Sequence, residues 1–450
     1  MTTMSDLMKK YDIPAPRYTS YPTVPYWENN PTSEQWIQAL TQAYGDEKAT
    51  WSLYMHIPYC ESLCTFCGCN TTITKDHTKE EHYVNLLLKE WDLYVQKVPQ
   101  ILNRPLEELH LGGGTPTFLS PESLTKLLRP VLEKVKKHSQ SVECSIEIDP
   151  RRTTAQHLSS LRELGFKRVS MGVQDFDPEV QRLVNRVQPF EITSSLTQEA
   201  RRLGYTSVNY DLIYGLPKQT LETIESTMRL TTELKPDRIA LYSYAHVPWI
   251  KPAQRLFTDA DLPTGESKRQ LYERSREILA SAGYIEIGMD HFALPHDSLN
   301  ISNQKKTLHR NFMGYTHRRT SILLGLGVSA ISETPSCFHQ NEKVLPVYDR
   351  LVNQSNIPTF RGHLLTDDDR QAREQILSLM TNGKAIIQNN QVEDLRSFLA
   401  PMIEDGLVNI TESTVSITRL GKAFLRNACM AFDRRLRAKA PATKLFSQAL

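Results

Sequence analysis

Four of the seven cysteines lie within ten residues, in the segment Cys60-Glu61-Ser62-Leu63-Cys64-Thr65-Phe66-Cys67-Gly68-Cys69. The other three are scattered, and an odd total does not suit a set of disulfides. Soft thiolates grouped on one loop select zinc or an iron–sulfur cluster. Structural zinc sites usually combine two separated Cys or His pairs, and no second pair follows at such spacing. The segment therefore favours an iron–sulfur cluster, with a zinc-stabilised scaffold as the alternative.

A four-iron cube held by three cysteines keeps one iron without a protein ligand, which leaves an open site for chemistry. Cys69 is a candidate fourth ligand, although it lies only two residues beyond Cys67. The spacing Cys60-x3-Cys64-x2-Cys67, with an aromatic residue just before the last cysteine, resembles the signature of the radical S-adenosylmethionine enzymes. In that family the open iron chelates S-adenosylmethionine, which one electron from the reduced cluster cleaves to methionine and a 5′-deoxyadenosyl radical.

A repeated order of short strand, turn and helix follows from residue 51 onward. β-Rich runs predict six strands, at 51–57, 108–111, 144–148, 168–173, 207–213 and 238–244. Helical periodicity predicts helices at 79–98, 121–137, 154–164, 178–186 with 191–203, and 220–234. Six such units predict an α/β fold with a parallel sheet, either an incomplete (β/α)6 barrel or a doubly wound sheet. In both folds, ligands bind at the C-terminal ends of the strands.

Glycines and polar residues follow four successive predicted strands. They are Gly112-Gly113-Gly114-Thr115 after the second strand, Glu147 and Asp149 on the third, Gln174 after the fourth and Asp211 on the fifth. Alternation on the third strand turns Glu147 and Asp149 away from its isoleucines. Buried carboxylates are costly unless they bind something, so these two predict a ligand; pairing with Arg151 or Arg152 is the alternative.

The wider sequence resembles one branch of this family, the oxygen-independent coproporphyrinogen III oxidases (dehydrogenases), over nearly the whole chain. The segments that carry the resemblance are 16–23, 67–70, 174–176, 180–186, 211–220, 288–293 and 308–312. The extra Cys69 and the N-terminal segment 17–23 resemble this branch more than the related haem chaperones. One departure is the segment 187–189, where a more polar sequence is expected after Arg186.

The resemblance implies a set of cofactor contacts. It implies that Cys60, Cys64 and Cys67 ligate a [4Fe–4S] cluster, with Cys69 present but not a ligand. It implies that a first S-adenosylmethionine is contacted by Tyr54, Gly113, Glu147, Ala245 and Ile331. It implies that a second S-adenosylmethionine is contacted by Phe66, Gly114, Thr115, Gln174, Arg186 and Asp211.

The resemblance also implies a reaction, the anaerobic oxidative decarboxylation of coproporphyrinogen III to protoporphyrinogen IX in haem biosynthesis. Hydrogen abstraction from the propionate β-carbons of rings A and B, with loss of CO2 and an electron, leaves vinyl groups. Such a substrate needs cationic partners for its four propionates, and Arg17, His309 and Arg310 are candidates. The family further implies a monomer and a reduced flavodoxin- or ferredoxin-type electron donor.

Two other tetrapyrrole functions stay open. A haem-binding chaperone on the same barrel could use His56, His291 or His309 as axial ligands. A radical enzyme of the methyltransferase type would instead release methylated tetrapyrroles.

Beyond the barrel, the sequence predicts three further regions. Residues 1–46 form an irregular extension that covers the active site, since Pro22 keeps the segment 17–23 from being a regular helix or a central strand. The barrel spans 47–282 and ends with a helix at 267–282. Residues 283–365, with a glycine-rich run at 322–331, complete the barrel and connect it to a mostly helical domain at 366–450.

Composition excludes several classes of protein. The 53 basic residues against 51 acidic residues leave a net charge of only +2, too small an excess for a polybasic nucleic-acid-binding arm. No apolar run approaches the roughly 18 residues that a membrane span requires. The N-terminus lacks the apolar core of a secretory signal, so we expect a cytoplasmic protein.

Overall fold

The computed structural model describes residues 3–136, 142–263 and 265–438 together with Phe446 and Gln448. Two helices lie in its N-terminal part. They are α1 (Met4–Tyr11) and α2 (Ser33–Gly45), and sequence analysis did not predict them. Each begins at a threonine whose hydroxyl accepts a backbone N–H of the first turn. The segment 17–23 between them contains neither helix nor strand, as predicted.

A parallel series of strands and helices forms the centre of the molecule. Its strands are β1 (Trp51–Ile57), the short pair β2 (Tyr59–Cys60) and β3 (Thr72–Ile73), β4 (Leu106–Gly113), β5 (Glu143–Ile148), β6 (Phe166–Gln174), β7 (Ser207–Tyr214) and β8 (Arg238–Ser243). Its helices are α3 (Lys79–Lys97), α4 (Pro121–Lys134), α5 (Ala155–Glu163), α6 (Pro178–Leu183), α7 (Phe190–Arg202) and α8 (Leu221–Leu234). The six predicted units are present with small changes at their ends. The predicted last residue of α4, Lys137, lies outside the described residues.

Alternation along each strand separates the core from a polar interior. On β1, Leu53, Met55 and Ile57 are fully buried and pack in the main hydrophobic core with residues of the surrounding helices. Tyr54 and His56 point to the opposite face. The interior of the barrel therefore carries the side chains that can do chemistry, while the outer face supplies the stability.

The sheet continues beyond both ends of this series. The added elements are α9 (Gly265–Ser281), β9 (Ile285–Ile287), β10 (His291–Ala293), α10 (Ser298–Gln304), β11 (His309–Asn311), β12 (Gly314–Thr316), β13 (Ile322–Leu326), β14 (Ile331–Glu333), β15 (Cys337–Asn341), α11 (Leu345–Asn353) and β16 (Thr359–Leu364). Twelve of the strands form one sheet in the order β16-β15-β14-β13-β1-β4-β5-β6-β7-β8-β10-β9, while β11 and β12 pair only with each other, as do β2 and β3. Strand β13 is parallel to β1, and sequence analysis described it only as part of a glycine-rich run.

The C-terminal part is mostly helical, as predicted, and contains a small sheet that was not predicted. Its elements are α12 (Asp367–Asn382), β17 (Lys384–Ile386), α13 (Val392–Glu404), β18 (Val408–Ile410), β19 (Thr414–Ile417), α14 (Leu425–Met430) and α15 (Arg434–Ala438). The three strands pair antiparallel in the order β17-β19-β18. The predicted domain boundaries stay a prediction.

The N-terminal extension packs into this C-terminal part. Leu7, Tyr11 and Tyr18 belong to the same hydrophobic core as Leu379 and Phe424. The Tyr18 hydroxyl donates to Asp433 at 3.1 Å, and the Arg426 guanidinium donates to the Pro16 carbonyl at 3.1 Å. The two ends of the chain therefore form one unit beside the barrel. Within the described residues, no helix is long and apolar enough to cross a membrane.

Candidate active site

A cavity of about 270 Å³ lies at the C-terminal ends of the parallel strands, and we call it the strand-end cavity. Eleven of the fourteen residues predicted to hold the cluster or its cofactor line it: Cys60, Cys64, Phe66, Cys67, Gly113, Gly114, Thr115, Glu147, Gln174, Arg186 and Asp211. They come from the loop after β1, from the ends of β4 to β7 and from the segment after α6. The parallel topology brings these separate segments together, because it places the C-terminal ends of all the strands at one edge.

The loop after β1 carries the cysteines. Cys60 is half-buried and its Sγ lies 3.2 Å from the Thr115 hydroxyl, while Cys64 is buried. The Cys69 backbone N–H donates to the Sγ of Cys67 at 3.4 Å. Hydrogen bonding from the Cys69 thiol lowers the pKa of Cys67 below its usual value, whereas burial raises the pKa of Cys60 to about 11. Cys67 is therefore converted more easily than Cys60 to the thiolate that binds metal.

Two arginines face Cys64. The guanidinium of Arg186 lies 3.6 Å from its Sγ, and that of Arg151 lies 3.8 Å away. Both arginines also contact Asp149, at 3.4 Å and 2.7 Å. The alternative raised for Asp149, pairing with Arg151, is thus observed, while Arg152 pairs with Glu61. The pairs put positive charge beside the cysteine loop.

The glycines after β4 allow a close approach to this loop. Gly114 donates its N–H to the Ile57 carbonyl at 2.7 Å, and Thr115 donates to the Tyr59 carbonyl at 2.9 Å. A Cβ at Gly114 would lie 2.7 Å from the Pro58 carbonyl oxygen, which is too close for any side chain. Gly113 has a φ of 123°, a conformation that other residues rarely adopt.

Three carboxylates in the barrel differ in their protonation. Burial opposes ionisation of Glu147, yet hydrogen bonds from His110 and from the Gly113 N–H lower its pKa. Burial likewise opposes ionisation of Asp149, and Arg186 and Arg151 lower its pKa. For Asp211 burial prevails and raises the pKa to about 6, although Ser170 donates to it at 2.7 Å. Glu147 and Asp149 are therefore anionic at neutral pH, while Asp211 titrates just below it.

The backbone of Gln174 is held in an unusual conformation. Its φ is 69°, in the left-handed region, at a bulge where β6 pairs irregularly with β7. A non-glycine residue in this region is uncommon and is concentrated at functional sites. The bulge turns the Gln174 side chain into the strand-end cavity beside Arg186.

Three predicted contacts of the first S-adenosylmethionine lie outside the strand-end cavity. Tyr54 is on β1, where its hydroxyl hydrogen-bonds His56 at 3.0 Å. Ala245 lines a neighbouring cavity of about 630 Å³. Ile331 begins β14 and packs against the cluster formed by Trp27, Phe338 and Leu365. Their assignment stays a prediction.

The three histidines considered as haem ligands lie in different surroundings, and the Nδ1 of His291 is buried without a hydrogen-bond partner among the described residues. Both ring nitrogens of His56 have partners, the Tyr54 hydroxyl and the Asn70 carbonyl at 2.9 Å. His291 packs edge-on against Tyr315, and burial lowers its pKa to about 4. Burial also lowers the pKa of His309 to about 4.

The predicted substrate residues lie on the other side of the barrel opening. Arg17 reaches from the N-terminal extension to the end of β8, where its guanidinium is 3.6 Å from Asp290 and 3.5 Å from the Ser243 carbonyl. Arg310 is buried, stacks on Tyr315 at 4.6 Å and donates to the Arg17 carbonyl at 3.3 Å. Arg17 lines a second cavity of about 550 Å³, which we call the cationic cavity. His309 and Arg310 line neither of the two cavities.

Sequence analysis missed two side chains of the barrel interior. Tyr242 of β8 lines the strand-end cavity, and His110 of β4 contacts Glu147 at 3.4 Å. Both could have been found from strand register. His110 pairs with Ser145, two residues before Glu147, and Tyr242 lies two residues after the partner of Asp211, so each shares a face with a predicted site residue.

The residues present suit an iron–sulfur cluster bound next to a polar cofactor. Among the described residues, no three metal-binding side chains already converge on one point. The three thiols instead border the strand-end cavity, and the two arginines supply the positive charge that an anionic cluster requires. The Nε of Arg186 is buried and lacks a hydrogen-bond partner among the described residues, so a donor is left for a ligand.

Comparison with known proteins agrees with this geometry. The family model described as the radical SAM superfamily matches residues 54–231. The oxygen-independent coproporphyrinogen III oxidase of Escherichia coli (strain K12) is 42% identical over 445 residues, which cover 96% of each chain. The chain belongs to the family of oxygen-independent coproporphyrinogen III oxidases. The enzyme of that name from Pseudomonas aeruginosa is 40% identical over 449 residues, again 96% of each chain.

A solved structure extends this family assignment to the fold. Coproporphyrinogen III oxidase from Escherichia coli, described as a radical SAM enzyme, superposes with a TM-score of 0.88. The match has 40% identity and covers 93% of this chain and 98% of that chain. The predicted α/β radical SAM fold is therefore confirmed. The [4Fe–4S] cluster and S-adenosylmethionine are confirmed with it as the cofactors of a radical SAM oxidoreductase.

Proposed function

We propose that this chain converts coproporphyrinogen III to protoporphyrinogen IX without oxygen, in haem biosynthesis. The observation that carries the proposal is the strand-end cavity. In a chain of this family, it brings the three predicted cluster thiols together with two anionic carboxylates, Glu147 and Asp149, and with Arg151 and Arg186. A cavity with those groups suits an anionic cluster and a zwitterionic cofactor. It contains more charged side chains than a typical ligand-binding pocket, which is mostly apolar.

The cofactors supply the radical chemistry. When bound, the reduced cluster and S-adenosylmethionine provide the 5′-deoxyadenosyl radical that removes hydrogen from the β-carbons of the ring A and ring B propionates. Each of these propionates then loses CO2, passes one electron to an external acceptor and becomes a vinyl group. Two S-adenosylmethionine molecules are consumed for each product.

The residues of the chain hold and orient these groups. Cys60, Cys64 and Cys67 ligate the cluster, and Arg186 and Arg151 offset its negative charge. The first S-adenosylmethionine is contacted by Tyr54, Gly113, Glu147, Ala245 and Ile331. The second is contacted by Phe66, Gly114, Thr115, Gln174, Arg186 and Asp211. Burial at the strand ends keeps water from the radical.

The substrate enters from the side of the N-terminal extension. Arg17 and Arg310 provide positive charge for propionates there, and His309 is a third candidate. We further propose that the chain acts as a monomer in the cytoplasm and receives its electron from a reduced flavodoxin- or ferredoxin-type protein.

An anaerobic turnover experiment tests the proposal. The chain is reconstituted with iron and sulfide, reduced, and mixed with S-adenosylmethionine with and without coproporphyrinogen III, and products are followed by mass spectrometry. We expect protoporphyrinogen IX with two 5′-deoxyadenosines per molecule, and neither product from a Cys64→Ala variant. Deoxyadenosine without decarboxylation would replace the proposal with another radical enzyme, such as a tetrapyrrole methyltransferase. Tight haem binding without deoxyadenosine would replace it with a haem-binding chaperone.

A further inference from the structure

The cationic cavity is built from three distant parts of the chain. Arg17 comes from the N-terminal extension, Arg269 and Arg276 come from α9, and Arg419 and Lys422 come from the C-terminal part. With Arg426, six basic side chains line the cavity, against the three acidic side chains Glu273, Glu286 and Asp290. Among the described residues that line the cavity, basic side chains therefore outnumber acidic ones.

The contacts on α9 show how little of this charge is balanced. Arg269 and Arg276 both form ion pairs with Glu273, which lies 2.7 Å from Arg276, and Glu286 adds a weaker attraction to Arg276. The Nε of Arg269 is buried and has no hydrogen-bond partner in the described part of the chain. Arg419 and Lys422 are exposed at the rim, and neither forms an ion pair with a described residue. Unused donors grouped in this way favour an anionic ligand.

A direct chain of contacts joins this cavity to the strand-end cavity. The Arg17 guanidinium lies over the ring of Tyr242, 5.8 Å from its centroid, and Arg17 lines the cationic cavity. Tyr242 lines the strand-end cavity together with Asp211. The two cavities are therefore adjacent across the Arg17–Tyr242 contact, an arrangement that suits an extended anionic ligand.

The proposed substrate has that shape and charge. Of its four propionates, those of rings A and B must approach the radical source, and those of rings C and D remain in the product. Two largely buried aromatic residues, Tyr214 and Tyr272, also line the cationic cavity. Guanidinium groups bind carboxylates in paired hydrogen bonds, so they suit two propionates that must be held in place.

We infer that the cationic cavity binds the two propionates that do not react, those of rings C and D, and that Arg276, Arg419 and Lys422 determine specificity for them. The inference rests on the proposed function, because it assigns a binding site to the substrate of that reaction. These residues position the macrocycle and take no part in the radical chemistry.

Fluorescence titration with stable oxidised porphyrins tests the inference on the cluster-loaded, full-length chain. The probes are coproporphyrin III, its tetramethyl ester, and protoporphyrin IX, which retains only the ring C and ring D propionates. We expect the two free acids to bind with similar affinity and the ester to bind at least tenfold more weakly. We expect Arg276→Gln and Arg419→Gln each to weaken binding of both acids about tenfold, as a lost charged hydrogen bond does.

Arg202→Gln provides a matched control. Arg202 pairs with Glu199 three residues earlier on α7, as Arg276 pairs with Glu273 on α9, but it lies away from the cavity. We expect its affinity for both acids to stay within twofold of the unaltered chain. The inference is overturned if Arg276→Gln and Arg419→Gln behave like this control or if the ester binds as well as the acid. It is also overturned if protoporphyrin IX fails to bind, because the ring A and ring B propionates would then be the ones held.

Turnover of coproporphyrinogen III, measured in parallel, separates the two proposals. If the unaltered chain converts the substrate, we expect Arg276→Gln to raise KM about tenfold with little change in kcat, because it removes binding shared by ground and transition states. If the unaltered chain converts the substrate and the variants bind porphyrins as tightly as it does, only the cavity assignment is refuted and the proposed function stands. If the unaltered chain converts nothing, the proposed function fails, and the titration still decides whether the cavity binds carboxylates.

Discussion

The strand-end cavity and the cationic cavity lie side by side and differ in how they are assembled. The first takes its residues from successive strand ends, and its main charges are paired, as in the contact of Asp149 with Arg151 and Arg186. The second joins the N-terminal extension, α9 and the C-terminal part, and its basic groups outnumber its acidic groups. A paired site suits an iron–sulfur cluster that stays bound and a zwitterionic cofactor, whereas an unbalanced site suits a strongly anionic substrate. The residues for the radical chemistry and the residues for substrate recognition therefore come from different parts of this chain.

The largest effect is expected from Cys64→Ala. Removing one of three thiolates from the strand-end cavity should abolish cluster absorbance after reconstitution and, with it, all deoxyadenosine formation. Cys337→Ala is the matched control, because Cys337 is a fully buried cysteine of β15 that lies outside both cavities. Cluster absorbance after anaerobic reconstitution is the measurement. A normal cluster in Cys64→Ala would show that the strand-end cavity does not hold it.

The two aspartates of the strand-end cavity should respond to pH in opposite directions. The pKa of Asp211 is raised to about 6 in the folded chain. Its contribution to the free energy of unfolding is therefore fully present below the pKa of an aspartate in the unfolded chain, and it is lost as pH rises through 6. Asp211→Asn should therefore raise the free energy of unfolding by up to about 3 kcal/mol at pH 7.5 and by about half of that at pH 5.

Asp149→Asn is the counterpart. Arg186 and Arg151 lower the pKa of Asp149, so its contribution is present above the unfolded pKa and is lost only as pH falls through the folded value. We expect this variant to lower the free energy of unfolding at both pH values. Urea unfolding of the metal-free chain at pH 7.5 and pH 5 measures both effects. Changes of the same sign in the two variants would contradict the described charge pairing.

A smaller effect is expected at Gly114, where the backbone after β4 lies against the backbone at Pro58. Gly114→Ala would push a methyl group against the Pro58 carbonyl and should cost about 1–3 kcal/mol, with a lower iron content after reconstitution. Gly68→Ala, within the cysteine loop, meets no atom within 4 Å and should change stability by less than about 0.5 kcal/mol. Equal iron content in the two variants would show that the close approach at Gly114 does not shape the loop.

The smallest effect is expected at the contact between the cavities. Arg17→Gln should raise KM for coproporphyrinogen III about tenfold through the loss of one charged contact. Deoxyadenosine formation without substrate should stay unchanged, because Arg17 lies outside the strand-end cavity. Arg229→Gln, on an exposed face of α8, is the control. A fall in substrate-free deoxyadenosine formation in Arg17→Gln would show that the two cavities do not work separately.

Much of the strand-end cavity could be predicted, because each of its motifs lies within a short stretch of sequence. The cysteine spacing, the glycines after β4 and the period of two along β5 and β7 each lie within a few residues. The parallel topology then brings strand ends together without further information. Tyr242 and His110 were missed because an aromatic or histidine at an inward position looks like an ordinary core residue until strand register is known.

The cationic cavity could not be predicted in the same way. Arg17 was singled out through its motif, but Arg276 and Arg419 lie in segments that resemble solvated helix and turn surfaces. Their proximity depends on the packing of α1 and the segment 17–23 into the C-terminal core, which no local pattern encodes. The pairing of β13 with β1 was missed for the same reason, since about 270 residues separate the two strands.

The pairing of β1 with β13 has a consequence for folding during synthesis on the ribosome. Strand β1 has β4 on one side within about fifty residues, but its other neighbour, β13, is synthesised much later. At roughly 5–20 residues per second, one edge of β1 waits about 15 to 55 s on the ribosome before its partner emerges. Throughout that interval the cysteine loop, which begins at the end of β1, is attached to an unpaired strand edge of the kind that pairs with foreign chains. A nascent chain that stalls before residue 326 would therefore carry its metal-binding cysteines on the part of the fold most open to aggregation.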